Sequence, residues 1–244
     1  MKSTPTTQPK IAAPEQWLVA RRELLRQEKE FTKQRDQLSQ RRRELPWVKI
    51  DKSYVFDSPN GPVTLADLFE GHSQLIVQHF MFGSGWEQGC KSCSYMMDHF
   101  NPAVPHLNAR DVSFAAISRA PLAEILPFKA RMGWAVNWVS AHGNDFNQDY
   151  HVSFTPEELA RGLVDYNYTQ LQFPLEEAPG ISVFARDAAG NVYHTYSTYG
   201  RGVEVVMGTY NLLDLVPKGR DEDPEATMSW VRYHDRYELA TADA

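Results

Sequence analysis

From Pro14 to about Glu44 the apolar positions follow a helical period. Trp17, Leu24, Phe31 and Leu38 recur every seven residues, and Leu18 and Leu25 widen the stripe. The same span carries nine basic and six acidic residues. The pattern predicts one long amphipathic helix, opened by Pro14 and stopped by Leu45-Pro46. Its stripe needs a covering surface, on the parent domain or on a second subunit. The expectation combines the two, with a homo-oligomer held in part through this helix. The run Arg41-Arg42-Arg43 falls where the helix macrodipole favours cations, and reads as a solvated helix end.

Beyond Pro46 the period shortens. Tyr54-Val55-Phe56 and Val63-Thr64-Leu65 flank the turn Ser58-Pro59-Asn60-Gly61 and predict a hairpin, followed by a short helix from Ala66 to Phe69. Leu75 to Phe82 is apolar nearly throughout, as in a strand buried on both faces. A turn with Gly83, Gly85 and Gly89 leads to Cys90. Tyr95, Met96, Met97, Phe100 and Leu107 then mark a helix bent at Pro102 and Pro105. Val112–Ile117 reads as a strand, Pro121–Met132 as a helix, and Trp134–Val139 alternates like a strand.

Residues 140 to 178 read as an insertion with one helix after the cap signal Thr155-Pro156-Glu157-Glu158. Ile181–Arg186 and Val192–Thr198 form a hairpin across Asp187–Gly190, and Val203, Val206, Met207, Tyr210 and Leu213 mark a last amphipathic helix. Strands alternating with helices, then a hairpin, predict an α/β fold with a central mixed sheet flanked by helices. The expected organisation is a disordered leader (1–13), the N-terminal helix (14–46), the sheet domain (47–216) and a charged tail (217–244) bearing Trp230, Tyr233 and Tyr237.

Composition narrows the function. The chain has 244 residues, 42% of them hydrophobic, which suffices for one filled core. A net charge of −6 argues against general nucleic-acid binding and gives no drive toward anionic membranes. The N-terminus has no apolar signal region and the longest apolar runs are too short for a bilayer, so the expected location is the cytoplasm. No P-loop, dinucleotide fingerprint or G-x-S-x-G occurs, and no cofactor is expected.

The remaining chemistry lies in the two cysteines, Cys90 and Cys93. Two cysteines exclude the disulfide framework of small secreted proteins. They stand just after a buried strand and at the start of a helix, where free N–H groups and a partial positive charge stabilise a thiolate. Lys91 adds a nearby cation. The predicted chemistry is thiol–disulfide exchange: Cys90 attacks a disulfide or an oxidised sulfur, and Cys93 resolves the mixed disulfide. Three other readings stay open. The thiols are structural, they bind copper or zinc with a histidine, or the protein is a non-enzymatic oligomeric interaction protein that assembles through its long helix. Zinc wants four ligands, and Pro102 and Pro105 break the helix that would align His99 and His106.

Weaker candidates surround the pair. His79 in the buried strand reads as a core histidine. Trp86 adjoins the cysteines. Tyr193, His194, Tyr196 and Tyr199 line the late hairpin as sheet packing or as a substrate surface. The oxygen-rich loop Asn144–Asp149 lacks calcium-loop spacing.

The strand LIVQHFMF, then GCKSC opening a helix, then DVSFAAIS, resembles the thioredoxin-like superfamily, and SPNGPVTLADLFEGHSQLIV resembles its peroxiredoxin branch. The stretches WEQGCKSCSYMMD, PGISVFARDAAGNVYHTYSTYGRG and GTYNLLDLVPKGRDE resemble a bacterial family of uncharacterised function, described as predicted dithiol-disulfide oxidoreductases.

The resemblance implies that Cys90 is the nucleophile and Cys93 the resolving thiol. It matches Pro179 with the cis-proline that faces the dithiol, and it gives the Ala178 backbone and Trp86 to substrate binding. Without the resemblance, Pro179 is an ordinary trans turn with Gly180. Arg119, ending the next strand, is expected to support the thiolate. The implied substrate is a disulfide-containing protein or a small thiol compound. Gly89 stands where thioredoxins usually carry Trp, Ser92 where they commonly carry Pro, and Glu87 where peroxiredoxins carry Thr or Ser.

Overall fold

The computed structural model describes residues 10–238. Residues 1–9 of the expected leader and 239–244 of the tail lie outside the described residues. The chain divides between Pro46 and Trp47 into two units. The first contains α1 (Pro14–Arg43), with Pro14 in its first turn and Arg41, Arg42 and Arg43 in its last. No residue of α1 is buried. Trp17, Leu24, Phe31 and Leu38 are 61%, 50%, 66% and 49% exposed.

The second unit runs β1 (Val48–Lys49), β2 (Val55–Ser58), β3 (Gly61–Thr64), β4 (Gln74–His79), α2 (Lys91–Phe100), α3 (Val104–Asn108), β5 (Val112–Ser118), α4 (Leu122–Arg131) and β6 (Asn137–Ser140). It continues with α5 (Phe146–Asp149), α6 (Pro156–Ala160), β7 (Val164–Tyr166), β8 (Thr169–Leu171), β9 (Gly180–Arg186), β10 (Val192–Tyr199) and α7 (Gly208–Leu213). Eight strands form one sheet in the order β1-β10-β9-β4-β5-β6-β2-β3. β4 pairs parallel with β5 and antiparallel with β9, and β5 pairs parallel with β6.

Apolar residues cover both faces of β4, as its near-continuous apolar sequence predicts. Leu75 and Val77 enter one core with Phe146, Tyr150 and Phe184, Ile76 packs against the other, and Phe80 and Phe82, just past the strand, enter that second core with Met96, Phe128 and Trp138. A central β4 followed by a helix, a parallel β5 and a returning antiparallel β9–β10 hairpin is a thioredoxin-like fold. Among the described residues no helix is long and apolar enough to cross a membrane.

Three expectations differ in detail. The insertion holds two short helices and a β7–β8 hairpin rather than one helix. The last amphipathic helix is a 3-10 segment, Gly200–Val206, followed by the six-residue α7. Gly200, with φ 51°, Gly202 and Gly208 interrupt the pattern, since glycine disfavours an uninterrupted helix. The tail folds onto the core: Val231 is fully buried, and Trp230 and Tyr233 pack beside it.

An ion cluster around the buried Glu177 ties the insertion to the sheet. Arg119, just past β5, donates from Nε to Glu177 at 2.5 Å and pairs with Glu176 at 3.1 Å. Ser153 Oγ donates to the other Glu177 oxygen at 2.6 Å. Burial pushes the Glu177 carboxyl above its usual range despite these partners. Arg119→Met strands this carboxylate and is expected to cost about 3 kcal/mol at neutral pH in urea unfolding. A carboxyl raised by folding favours the folded state below its unfolded pKa and disfavours it as pH rises. The deficit is therefore expected to shrink near pH 4; an equal deficit at both pH values contradicts the assignment.

Candidate dithiol site

The turn from β4 to α2 is fixed by its backbone. The Phe80 N–H donates to Ile117 O at 2.9 Å, and the Cys90 N–H donates to Met81 O at 2.9 Å. These bonds fold the glycine-rich loop back over the C-terminal ends of β4 and β5 and set Cys90 at the N-cap of α2. Gly89 has a packing reason. A Cβ there would lie 2.6 Å from Phe80 Cε1 and 3.0 Å from Phe128 Cε1. A Trp in this place would meet the same rings. Its carbonyl accepts the Tyr233 hydroxyl at 2.7 Å.

The two cysteines lie 3.9 Å apart. Cys90 is half-buried and Cys93 is 1% exposed. The Cys93 thiol donates a hydrogen bond to the Cys90 sulfur, and this holds the Cys90 thiol down to about 6. The first-turn N–H groups of Cys93 and Ser92 and the Ser92 hydroxyl act in the same direction, against burial. Cys93 is pushed well above the ordinary thiol range, because it would lose that donor role and because it is buried. The pair is therefore asymmetric at neutral pH. Cys90 is a reachable thiolate, and Cys93 is a sequestered thiol.

The cavity in front of the pair has a volume of about 330 Å³. Met81, Met96, Phe173, Val203, Met207 and Met228 give it an apolar lining, and Pro179 borders it. The Ala178–Pro179 bond is trans, since no described peptide bond is cis. Ala178 is buried, and its N–H donates to Val152 O at 2.8 Å. Pro179 O accepts the Tyr166 hydroxyl at 2.7 Å. The Ala178 N–H, expected to meet a bound peptide, is thus engaged within the fold.

The expected thiolate supporters stand elsewhere in the electrostatics. Lys91 is exposed, and the Arg119 guanidinium is held by Glu176 and Glu177. Neither is among the groups that lower Cys90. Helix-end N–H groups and the neighbouring thiol do that work at shorter range. Trp86 donates to Glu176 at 3.2 Å and packs half-buried beside the core.

His79 is buried, donates to or accepts from Ser182 Oγ at 2.7 Å, and is held down to about 3 by burial. His99 faces Tyr95 O and the Thr209 N–H and hydroxyl. Among the described residues no three His, Cys, Asp or Glu side chains gather to hold a metal ion.

The tail supplies site residues that sequence reasoning missed. Thr227 and Met228 line the cavity, and the Tyr233 hydroxyl sits close enough to Cys90 for the thiolate to raise it, after burial. The aromatic cluster at 230–237 was the available signal, but no spacing linked it to the cysteines.

The Cys90 alkylation rate with iodoacetamide is expected to inflect near pH 6. Cys93→Ala, which removes the thiol donor, is expected to move the inflection toward the ordinary value of about 8.5. An unshifted inflection contradicts the thiol-to-thiolate bond. Gly89→Ala is expected to lower stability by about 1–3 kcal/mol in urea unfolding, through overpacking on Phe80. An unchanged midpoint would show that the loop yields freely.

A family model described as "Bacterial protein of unknown function (DUF899)" matches residues 6–237. The fold is similar to the peroxidoxin BcpB of Mycobacterium tuberculosis, at 13% identity and a TM-score of 0.41, covering 68% of this chain and 94% of that one. It is similar to a mutant of Xylella fastidiosa PrxQ, at 12% identity and a TM-score of 0.40, covering 65% and 88%. It is also similar to Xanthomonas campestris peroxiredoxin Q, at 14% identity and a TM-score of 0.41, covering 66% and 90%. No curated protein matches the chain by sequence.

Proposed function

The chain belongs to the DUF899 family of bacterial proteins of unknown function, and we propose that it is a thiol–disulfide oxidoreductase working through Cys90 and Cys93. The observation that carries this reading is the asymmetry of the pair. One thiol is lowered to about 6 and half-buried, and its partner 3.9 Å away is raised and buried. A nucleophile must be ionised and reachable. A resolving thiol must be close and must hold its proton until the mixed disulfide forms.

The Cys90 thiolate attacks one sulfur of a substrate R–S–S–R′. A Cys90–S–S–R bond forms, and R′S⁻ leaves. Loss of the thiolate charge removes what kept Cys93 protonated, and its proton passes to the departing R′S⁻. The Cys93 thiolate then attacks Cys90 Sγ, closes the intramolecular disulfide and releases RS⁻. The substrate gains two electrons and the dithiol loses two. An external thiol donor must return them.

Closure needs the sulfurs to approach to a bond length of about 2.05 Å. The two side chains, one helical turn apart on α2, can make that approach by rotation about their side-chain bonds. The thiolate that makes Cys90 reactive also stabilises the reduced state. The pair is therefore a better oxidant than an unperturbed dithiol.

Equilibration in buffers of graded reduced and oxidised dithiothreitol, followed by alkylation and mass spectrometry, is expected to show one two-electron transition. The product should lack two protons and carry no added thiol. Cys90→Ser is expected to abolish disulfide turnover. Absence of the intramolecular disulfide from strongly reducing to strongly oxidising buffer overturns the proposal.

A further inference from the structure

We infer that the dithiol acts on small, uncharged, apolar disulfides and discriminates against peptide and anionic disulfides; this rests on the redox reading above and names its substrate class. Three independent features of the cavity support it.

The first is chemical lining. Four of the chain's seven methionines, Met81, Met96, Met207 and Met228, face the same cavity as the two sulfurs. Unbranched thioethers make a soft apolar wall that adapts to ligand shape. Met228 holds φ 61°, a left-handed conformation unusual for a non-glycine residue, where it lines the cavity.

The second is charge. Besides Cys90, the charged side chains that line the cavity among the described residues are Arg201 and Glu204, which pair with each other at 2.8 Å, and Arg220 pairs with Glu204 at 3.0 Å. Among the described residues of the lining, no unpaired cation is offered to a carboxylate-bearing disulfide. Such a ligand would shed water without gaining a counter-charge.

The third is access. A peptide docked as an added strand needs free backbone donors and acceptors beside the dithiol. At Ala178–Pro179 the N–H is bonded to Val152 O and the Pro179 carbonyl to the Tyr166 hydroxyl. On the other side the tail forms a roof. Glu222 accepts from Tyr210, from the Met228 N–H and from Trp230. Tyr233 is bonded to Gly89 O at 2.7 Å, and Asp235 to Arg131 at 2.8 Å. A cavity of about 330 Å³ between these walls lies at the small end of ligand sites, which span roughly 300–1,000 Å³.

The reduced full-length protein is mixed with di-n-propyl disulfide, with oxidised glutathione and with insulin in separate single-turnover experiments. The Cys90–Cys93 disulfide is counted by quench and mass spectrometry. Each rate is divided by the rate at which 2-mercaptoethanol thiolate reacts with the same disulfide, which removes the leaving-group difference.

The normalised rate with di-n-propyl disulfide is expected to exceed the other two by at least about tenfold. Met228→Lys, which places an ammonium on the lining, is expected to narrow its lead over oxidised glutathione. A normalised rate with glutathione or insulin equal to or above that with di-n-propyl disulfide overturns this inference and leaves the redox reading standing. Failure of every disulfide, including oxidised dithiothreitol, to close the pair overturns both.

Discussion

Everything at the site turns on one contact, the hydrogen bond from the Cys93 thiol to the Cys90 sulfur. A thiolate half out of water is costly without donors. This one has a thiol and the free N–H groups of a helix start, all within the first turn of α2. The same contact makes the partners unequal, because the donor thiol resists ionisation as the acceptor gives up its proton. A single geometry thus supports both of the proposed roles without a distant charged residue.

The fold exists, for this purpose, to keep that geometry. β4 lies in the middle of the sheet with apolar side chains packed into both cores, so its C-terminal end is held between them. Met81, two residues beyond it, accepts from the Cys90 N–H and turns its own N–H toward the Cys93 sulfur. The close approach of Gly89 to Phe80 presses the loop onto the core. The tail then presses from the other side through Tyr233. The result is a reactive sulfur at the floor of an apolar cavity rather than on an open surface.

Much of this was legible in the chain. The spacing of Cys90 and Cys93 behind an apolar run and ahead of a helical pattern pointed to the strand-to-helix junction where the structure places them, and the turns at Ser58–Gly61 and Asp187–Gly190 located the first and last hairpins. Local signals did that work, because strand period, turn residues and helix starts are set within a few residues. What was not legible depends on distant partners. Arg119 was assigned to the thiolate, but Glu176 and Glu177, nearly sixty residues on, claim it. Ala178 and Pro179 were expected beside the substrate; Pro179 borders the cavity, while the Ala178 N–H bonds to Val152 O and the Pro179 carbonyl to the Tyr166 hydroxyl. The tail, with its charged and aromatic residues, read as an appendage. Only its docking on Gly89 and the cavity reveals it as a wall.

The central claim is that Cys90 alone begins the exchange and Cys93 alone completes it. The direct test is to expose Cys93→Ser and Cys90→Ser separately to an equimolar small disulfide at pH 7, quench with acid, and map the adduct by peptide mass. The account predicts a stable mixed disulfide on Cys90 in the first variant and almost no adduct in the second. Comparable adducts on the remaining cysteine of both variants would contradict the asymmetry on which the account rests.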